Sequence, residues 1–398
     1  MKKINLPAIW LIVLIVGLPL LSETVYTPSL PDIAHALSVT DAWVEYTLTI
    51  YLFGFAVGTL FWGNLSDKWG RKPCILLGLG IFIIGCIGCY ASDSISLLMT
   101  SRFVQAFGGS TGSVLGQAVC RDAYHGSTLG KLYATVGGAL AIFPAIGPVI
   151  GGSIDQAYGW PAIFLFLIIC GTIVLGLTTK MLPETHPHED RNHIPLMTTL
   201  IDMICDVRVI GFAFLVAACN GIAFSFYAEG PFYMIELLGL SPSQYGLLFV
   251  GIASATLVGG IMGRRLHNHH SSMAIMDYGL GIILFGSVLW ILLICVTQNR
   301  AFLIWGSLTF MMIITSGIAL VTSNALSLSL VNYKNRIGTA SSLFGFFYYT
   351  LISLFTLGMG YSHTETVFPM PIYFGTIAVL MIVVRRTMLV EKTKKRDL

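Results

Sequence analysis

Apolar runs of about 20 residues recur from one end of this chain to the other, and no other feature limits its fold as strongly. At 1.5 Å per residue, a helix of that length matches the roughly 30 Å hydrocarbon thickness of a bilayer. Twelve runs can be read, at approximately 6–27, 43–64, 73–91, 96–119, 130–154, 160–181, 208–235, 243–264, 273–297, 301–326, 337–359 and 369–390. Only 10% of the residues are charged and 55% are hydrophobic. Soluble domains carry roughly 25% charged residues, so this chain lacks the polar surface that water demands. In lipid each backbone N–H and C=O must be satisfied within its own segment, which makes runs of this length helices. The expected fold class is an all-α integral membrane protein with twelve transmembrane helices.

Basic residues orient those helices. Of 22 Lys and Arg, Arg102 lies deep within a run and Arg300 between runs nine and ten; the others fall on the termini, in loops after even-numbered runs or at the run ends bordering those loops. By the positive-inside rule these surfaces, and both termini, are cytoplasmic. Lys2 and Lys3 precede the first run as in a signal peptide, but no small-residue cleavage site follows and the run continues through Pro19 to Glu23, so it reads as an uncleaved helix. The longest polar stretch, Pro183 to about Val207, divides the chain into a six-helix bundle at 1–182, a cytoplasmic linker at 183–207 and a second six-helix bundle at 208–398. The net charge of +3 follows from this topology and gives no sign of nucleic-acid binding. All eight cysteines lie in or beside apolar runs; Cys86 and Cys89 have redox spacing but read as small packing residues.

Two acids stand out within the apolar runs, one per half: Glu23-Thr-Val-Tyr26-Thr-Pro28 and Tyr227-Ala-Glu229-Gly-Pro231. An ionisable group in hydrocarbon costs several kcal/mol unless paired, protonated or wetted, so its default reading is a transport or proton pathway. Arg102 in run four lies at a depth matching Glu23, which makes that acid its candidate partner. Polar and aromatic residues expected to line a substrate cavity are Tyr26, Tyr46, Tyr51, Gln117, Asn220, Tyr227, Asn324 and Tyr348. Glycine followed by basic residues closes run two (Gly63 to Lys72) and run eight (Gly259 to Arg265), suggesting a parallel internal repeat with a midplane site between the halves. His267, His269 and His270 read as a solvated loop. No phosphate-cradling loop, nucleophile–base pair or metal-ligand set is apparent, so neither an enzyme nor a cofactor or metal is expected.

Three motifs carry a family resemblance. Gly63-Asn-Leu-Ser-Asp67-Lys68-Trp-Gly70-Arg71-Lys72 resembles the loop signature of the major facilitator superfamily. That resemblance implies the two-bundle major facilitator fold, with Asp67 docked against the start of run eleven and Arg71 against Asp122 in a latch between states. Arg102-Phe-Val-Gln105-Ala-Phe-Gly108 is similar to the superfamily's fourth-span motif, which implies a role for Arg102 in proton coupling. Gly147-Pro148-Val-Ile-Gly151-Gly152 resembles its antiporter motif.

Finer similarity, through Tyr26-Thr-Pro28-Ser-Leu30-Pro31, Arg102 to Asp122, and Gly230-Pro231-Phe232 onward, is to the bicyclomycin and chloramphenicol resistance (Bcr/CflA) branch of drug:proton antiporters. The resemblance implies a proton-coupled antiporter of the inner membrane, mostly monomeric, that exports drugs or small metabolites such as lipophilic cations or zwitterions. The alternative is a proton-coupled symporter importing a metabolite. Two residues depart from the branch: its acid two positions before Tyr26 is Thr24 here, with Glu23 rotated by about 100°, and its serine in span seven is Glu229. In the implied mechanism Glu23, Arg102 and Glu229 carry the coupling.

Overall fold

Helix breaks fall where the sequence removes a backbone donor. The computed structural model describes residues 6–124, 142–185, 196–364 and 366–389, together with 132, 135–137 and 139. Helix α1 (Ile9–Thr24) stops where Pro28 has no N–H to offer the Thr24 carbonyl. The Thr27 hydroxyl donates to that carbonyl instead, at 2.9 Å. A 3-10 turn, Thr27–Ser29, leads into α2 (Leu30–Leu37). The second half repeats the device: α9 (Val207–Pro231) passes at Pro231 into a π-helical turn, Phe232–Leu237. Each break lies directly after one of the acids that stood out in the sequence.

The remaining helices are α3 (Asp41–Trp69), α4 (Arg71–Tyr90), α5 (Ile95–Ala123), α6 (Phe143–Tyr158), α7 (Pro161–Met181), α8 (Leu196–Cys205), α10 (Pro242–Leu266), α11 (Ser272–Val296), α12 (Arg300–Ser329), α13 (Ile337–Ser362) and α14 (Pro369–Met388). Between α3 and α4 the chain turns on Gly70, whose φ of 99° favours glycine. Ser241 and Gln244 form a reciprocal capping box at the start of α10.

Among the described residues, ten helices are long and apolar enough to cross a membrane. Two of the twelve apolar runs hold helices outside that set. Helix α5 is 29 residues long, but Arg102, Gln105 and its glycines lower its apolarity. Helix α6 has only 16 described residues, and much of the run before it lies outside them. The polar stretch expected as a linker contains α8; its histidines at 186, 188 and 193 lie outside the described residues, as do Lys2, Lys3 and the last nine residues.

Buried apolar side chains gather into two main cores. One draws mainly on Leu11 to Leu182 and takes in Ala217, Phe224, Ala228, Phe232 and Ile352 from the second half; the other draws on Met203 to Leu389. The two sets of helices meet chiefly where α3 packs on α13 and where α6 packs on α10. Backbones approach closely there. A methyl group on Gly152 would strike the Pro242 carbonyl oxygen, and one on Gly246 the Pro148 carbonyl. Small residues permit this intimacy in a helix bundle.

Candidate functional site

Three polar constellations stand out, two within the first set of helices and one in the seam between the two sets. At the end carrying the α3–α4 turn, Arg71 is the hub. Its Nε donates to Asp122 Oδ2 at 2.9 Å, and its Nη1 donates to Asp67 Oδ1 at 2.6 Å and Ser66 Oγ at 2.7 Å. The Glu184 carboxylate accepts from the backbone N–H groups of Arg71 and Lys72, at 2.9 and 3.1 Å, where the positive end of the α4 dipole favours an anion. Lys72 Nζ donates to the Thr179 carbonyl. The described contact of Asp67 is with Arg71; the approach of α3 to α13 is made by Gly63, where a Cβ would lie 3.0 Å from Cβ of Ser342. Ser66 and Glu184 were not singled out in the sequence.

Within the first set of helices, Arg102 is fully buried. Its guanidinium carbon lies 3.9 Å from the Tyr26 ring centre and 4.1 Å from that of Tyr51, clamped between two aromatic faces. Nη1 donates to Gln105 Oε1 at 2.6 Å, while Nε and Nη2 have no hydrogen-bond acceptor. Glu23 is 2% exposed, its Oε1 is unbonded, and it forms no ion pair with Arg102. The ion pair expected between these two charges is therefore not formed in this structure.

Glu23 instead lines a cavity of about 240 Å³ with Asn220, Tyr227 and Tyr348. Tyr348, Tyr349 and Leu326 also border a larger cavity of about 570 Å³ toward the Arg71 end, which includes Gln117 and Arg121. Tyr26, Tyr46, Tyr51 and Asn324 line neither of these two spaces. Tyr26 and Tyr51 hold the arginine; Asn324 is buried with its amide nitrogen donating to the Leu320 carbonyl; Tyr46 packs against Tyr361.

At the opposite end the seam is shut, and a third cluster lies in it. His363, just beyond α13, donates from Nδ1 to Glu229 Oε2 at 2.8 Å; the same nitrogen is 3.3 Å from Glu45 Oε1, and Nε2 is 3.4 Å from Asp41 Oδ2. The Glu45 and Glu229 side chains are 0% and 2% exposed, and His363 is 15% exposed. The nearby Asp41, Glu229 and Glu45 carboxylates outweigh partial burial and push the His363 imidazole up to about 12. Glu229 thus faces this closed end and is absent from the lining of the cavity that Glu23 borders. Asp41, Glu45 and His363 were missed in the sequence, although Glu45 lies inside an apolar run as conspicuously as Glu23 does.

The glycine-proline segment of α6 also has a structural use. A methyl on Gly151 would overlap the Val25 carbonyl oxygen and one on Gly147 would strike the Thr24 hydroxyl, so α6 lies against the broken end of α1. Gly152 and Pro148 meet α10 on the other side. The motif joins the Glu23 segment to the facing bundle.

The family model of the Major Facilitator Superfamily matches residues 12–356. An uncharacterised transporter of Rickettsia felis is 35% identical over 370 residues, covering 91% of each chain. A bicyclomycin resistance protein homolog of Haemophilus influenzae is 27% identical over 370 residues, covering 92% of each. Among solved structures, a partially occluded inward-open form of the xylose transporter XylE from E. coli superposes with a TM-score of 0.73 at 12% identity, covering 97% of this chain and 99% of that one. At that identity the likeness speaks for the fold alone.

Proposed function

Because this chain belongs to the Major Facilitator Superfamily and is a multi-pass membrane transporter, we propose that it is a proton-coupled antiporter exporting drugs or small metabolites across the inner membrane. It spans the bilayer twelve times as two six-helix bundles, 1–182 and 208–398, joined by a cytoplasmic segment, with both termini in the cytoplasm. The Arg71 end is the cytoplasmic end. The cavities bordering Glu23 and Gln117 are then its inward-facing substrate path, while the Asp41, Glu45, Glu229 and His363 cluster closes the periplasmic side.

One observation carries the reading. Glu23 combines a buried carboxylate oxygen lacking any partner with a position on the wall of the cavity between the halves. A carboxylate so placed is stable only if it exchanges a proton, a substrate cation or an arginine. Arg102, with two unbonded nitrogens, is the internal competitor. When the bundles rock, Glu23 alternates between that arginine and the cavity, and a proton loaded from outside is released inside as substrate leaves. One proton moving inward through 100 mV supplies roughly 2.3 kcal/mol, enough for about 50-fold accumulation. The tyrosines around Glu23 favour lipophilic cations and zwitterions, and the bicyclomycin-resistance relative supports drugs as the class.

Inverted vesicles with an acidified lumen and a pH-sensitive dye test this. Substrates from a panel of cations and zwitterions should dissipate the gradient, and Glu23→Gln should remove the response while protein levels in the membrane are kept. Unaltered coupling in Glu23→Gln would take Glu23 out of the mechanism.

A further inference from the structure

The closed-end cluster has the donors, spacing and charge of a metal site. One ligand atom each from Glu45, Glu229 and His363 lies within 4.8 Å of the others, and the contacts from His363 Nδ1 are 2.8 and 3.3 Å. Ligands that share a transition-metal ion at about 2.0–2.2 Å stand roughly 3–3.5 Å apart, so both contacts from Nδ1 already lie near that spacing.

The present hydrogen bonding leaves the site unfinished. Nδ1 carries at most one proton, and that proton serves Glu229. Neither oxygen of Glu45 accepts a hydrogen bond, although the side chain is completely buried and Oε1 faces the histidine. A buried carboxylate left this way is costly unless it binds a proton or a cation. Behind the ring, Nε2 faces Asp41 Oδ2 at 3.4 Å. A carboxylate on the far nitrogen is the usual outer partner of a metal-bound histidine, fixing its tautomer and orientation.

Charge and softness narrow the ion. Two carboxylates are balanced by one divalent cation, which would displace the Nδ1 proton. Mixed imidazole and carboxylate donors suit Zn²⁺ and its first-row neighbours, whereas Mg²⁺ and Ca²⁺ take all-oxygen shells. His363 and Asp41 are 15% and 27% exposed, which leaves an entry from solvent.

We propose that Glu45, Glu229 and His363 bind a divalent transition-metal ion, Zn²⁺ fitting best, with Asp41 orienting the imidazole and water completing the shell. Glu45 comes from the first bundle and the other two ligands from the second, so the ion clamps this end shut. Binding itself does not depend on the transport reading; the clamp's effect on turnover rests on alternating access.

The test uses full-length, metal-stripped protein in detergent. Calorimetric titration with ZnCl₂ should reveal a site weakened at least tenfold by Glu45→Gln and by His363→Ala. Joint alanine substitution of His267, His269 and His270 should leave that site intact, and excess MgCl₂ should not compete. Unchanged Zn²⁺ affinity in both cluster variants, or a site lost only with the loop histidines, overturns the proposal. A spectroscopic readout on the wild type covers the case in which a variant fails to fold. Co²⁺ should give the intense visible bands of a four- or five-coordinate site, quenched by Zn²⁺, whereas a pale octahedral spectrum overturns it. In proteoliposomes Zn²⁺ should slow transport; tight binding without slowing removes the clamp and leaves the site.

Discussion

The Arg102 guanidinium carbon stands 3.9 Å from the ring centre of Tyr26, and no carboxylate among the described residues forms an ion pair with it. A buried cation is thus held mainly by π faces and one amide oxygen. Cation–π contacts are worth about 2 kcal/mol or more when desolvated, less than a buried carboxylate would contribute, so Arg102 stays poised to accept one.

The Tyr26 ring, rather than its hydroxyl, should be what matters. Its hydroxyl shares a 3.1 Å hydrogen bond with Thr47, a contact worth about 1 kcal/mol. Tyr26→Phe keeps the face and should lower stability by that amount or less. Tyr26→Leu loses the face and buried area and should cost about 3 kcal/mol. Thermal unfolding of the two variants in detergent separates them; equal losses would assign the role to the hydroxyl.

How far the sequence carried these conclusions depends on the kind of distance involved. The positions of the long apolar helices were legible because bilayer thickness sets run length, and ten of the twelve runs hold helices long and apolar enough to cross a membrane. Rotation about each helix axis was not legible, and it turns Arg102 toward Tyr26 and Tyr51. The Glu229–His363 contact, 134 residues apart, exists only through the packing of one helix pair on another, and no local pattern signals it. Glu45 is different: its place inside an apolar run already signals its burial.

Gly151 should tolerate no side chain. A Cβ there would overlap the Val25 carbonyl oxygen, a backbone atom that cannot rotate away. Gly151→Ala is expected to separate α6 from α1 and to cost about 3 kcal/mol, the upper range for overpacking. Gly260→Ala, where a methyl meets nothing within 4 Å, should be neutral or slightly stabilising. Comparable melting temperatures for the two variants would show that α6 and α1 do not hold this approach in the membrane.

Arg71 should couple more strongly to Asp122 than to Asp67. Both contacts are short, but the Asp122 side chain is 21% exposed and that of Asp67 44%. Water screens the second pair more, and surface pairs are worth about 0–1 kcal/mol. Double-mutant cycles with alanine should give a coupling of about 1–2 kcal/mol for Arg71–Asp122 and less than half of that for Arg71–Asp67. The reverse order would mean that Asp67 finds its main partner in another state of the transporter.

Glu45→Gln should change sign with metal. Without an ion, the substitution replaces an unbonded buried carboxyl group beside Glu229 by a neutral amide, removing a desolvation cost and a like-charge neighbour. Metal-free Glu45→Gln should therefore melt at or above the wild-type temperature. At 100 times the dissociation constant, a bound ion stabilises the native protein by about 2.7 kcal/mol. Zn²⁺ should raise the wild-type melting temperature by several degrees and leave the variant almost unmoved, so that the order of the two proteins inverts. A wild type that gains nothing, together with a variant that melts lower at every metal concentration, would mean that the Glu45 carboxylate is held by a bond within the protein and that the closed end needs no cation.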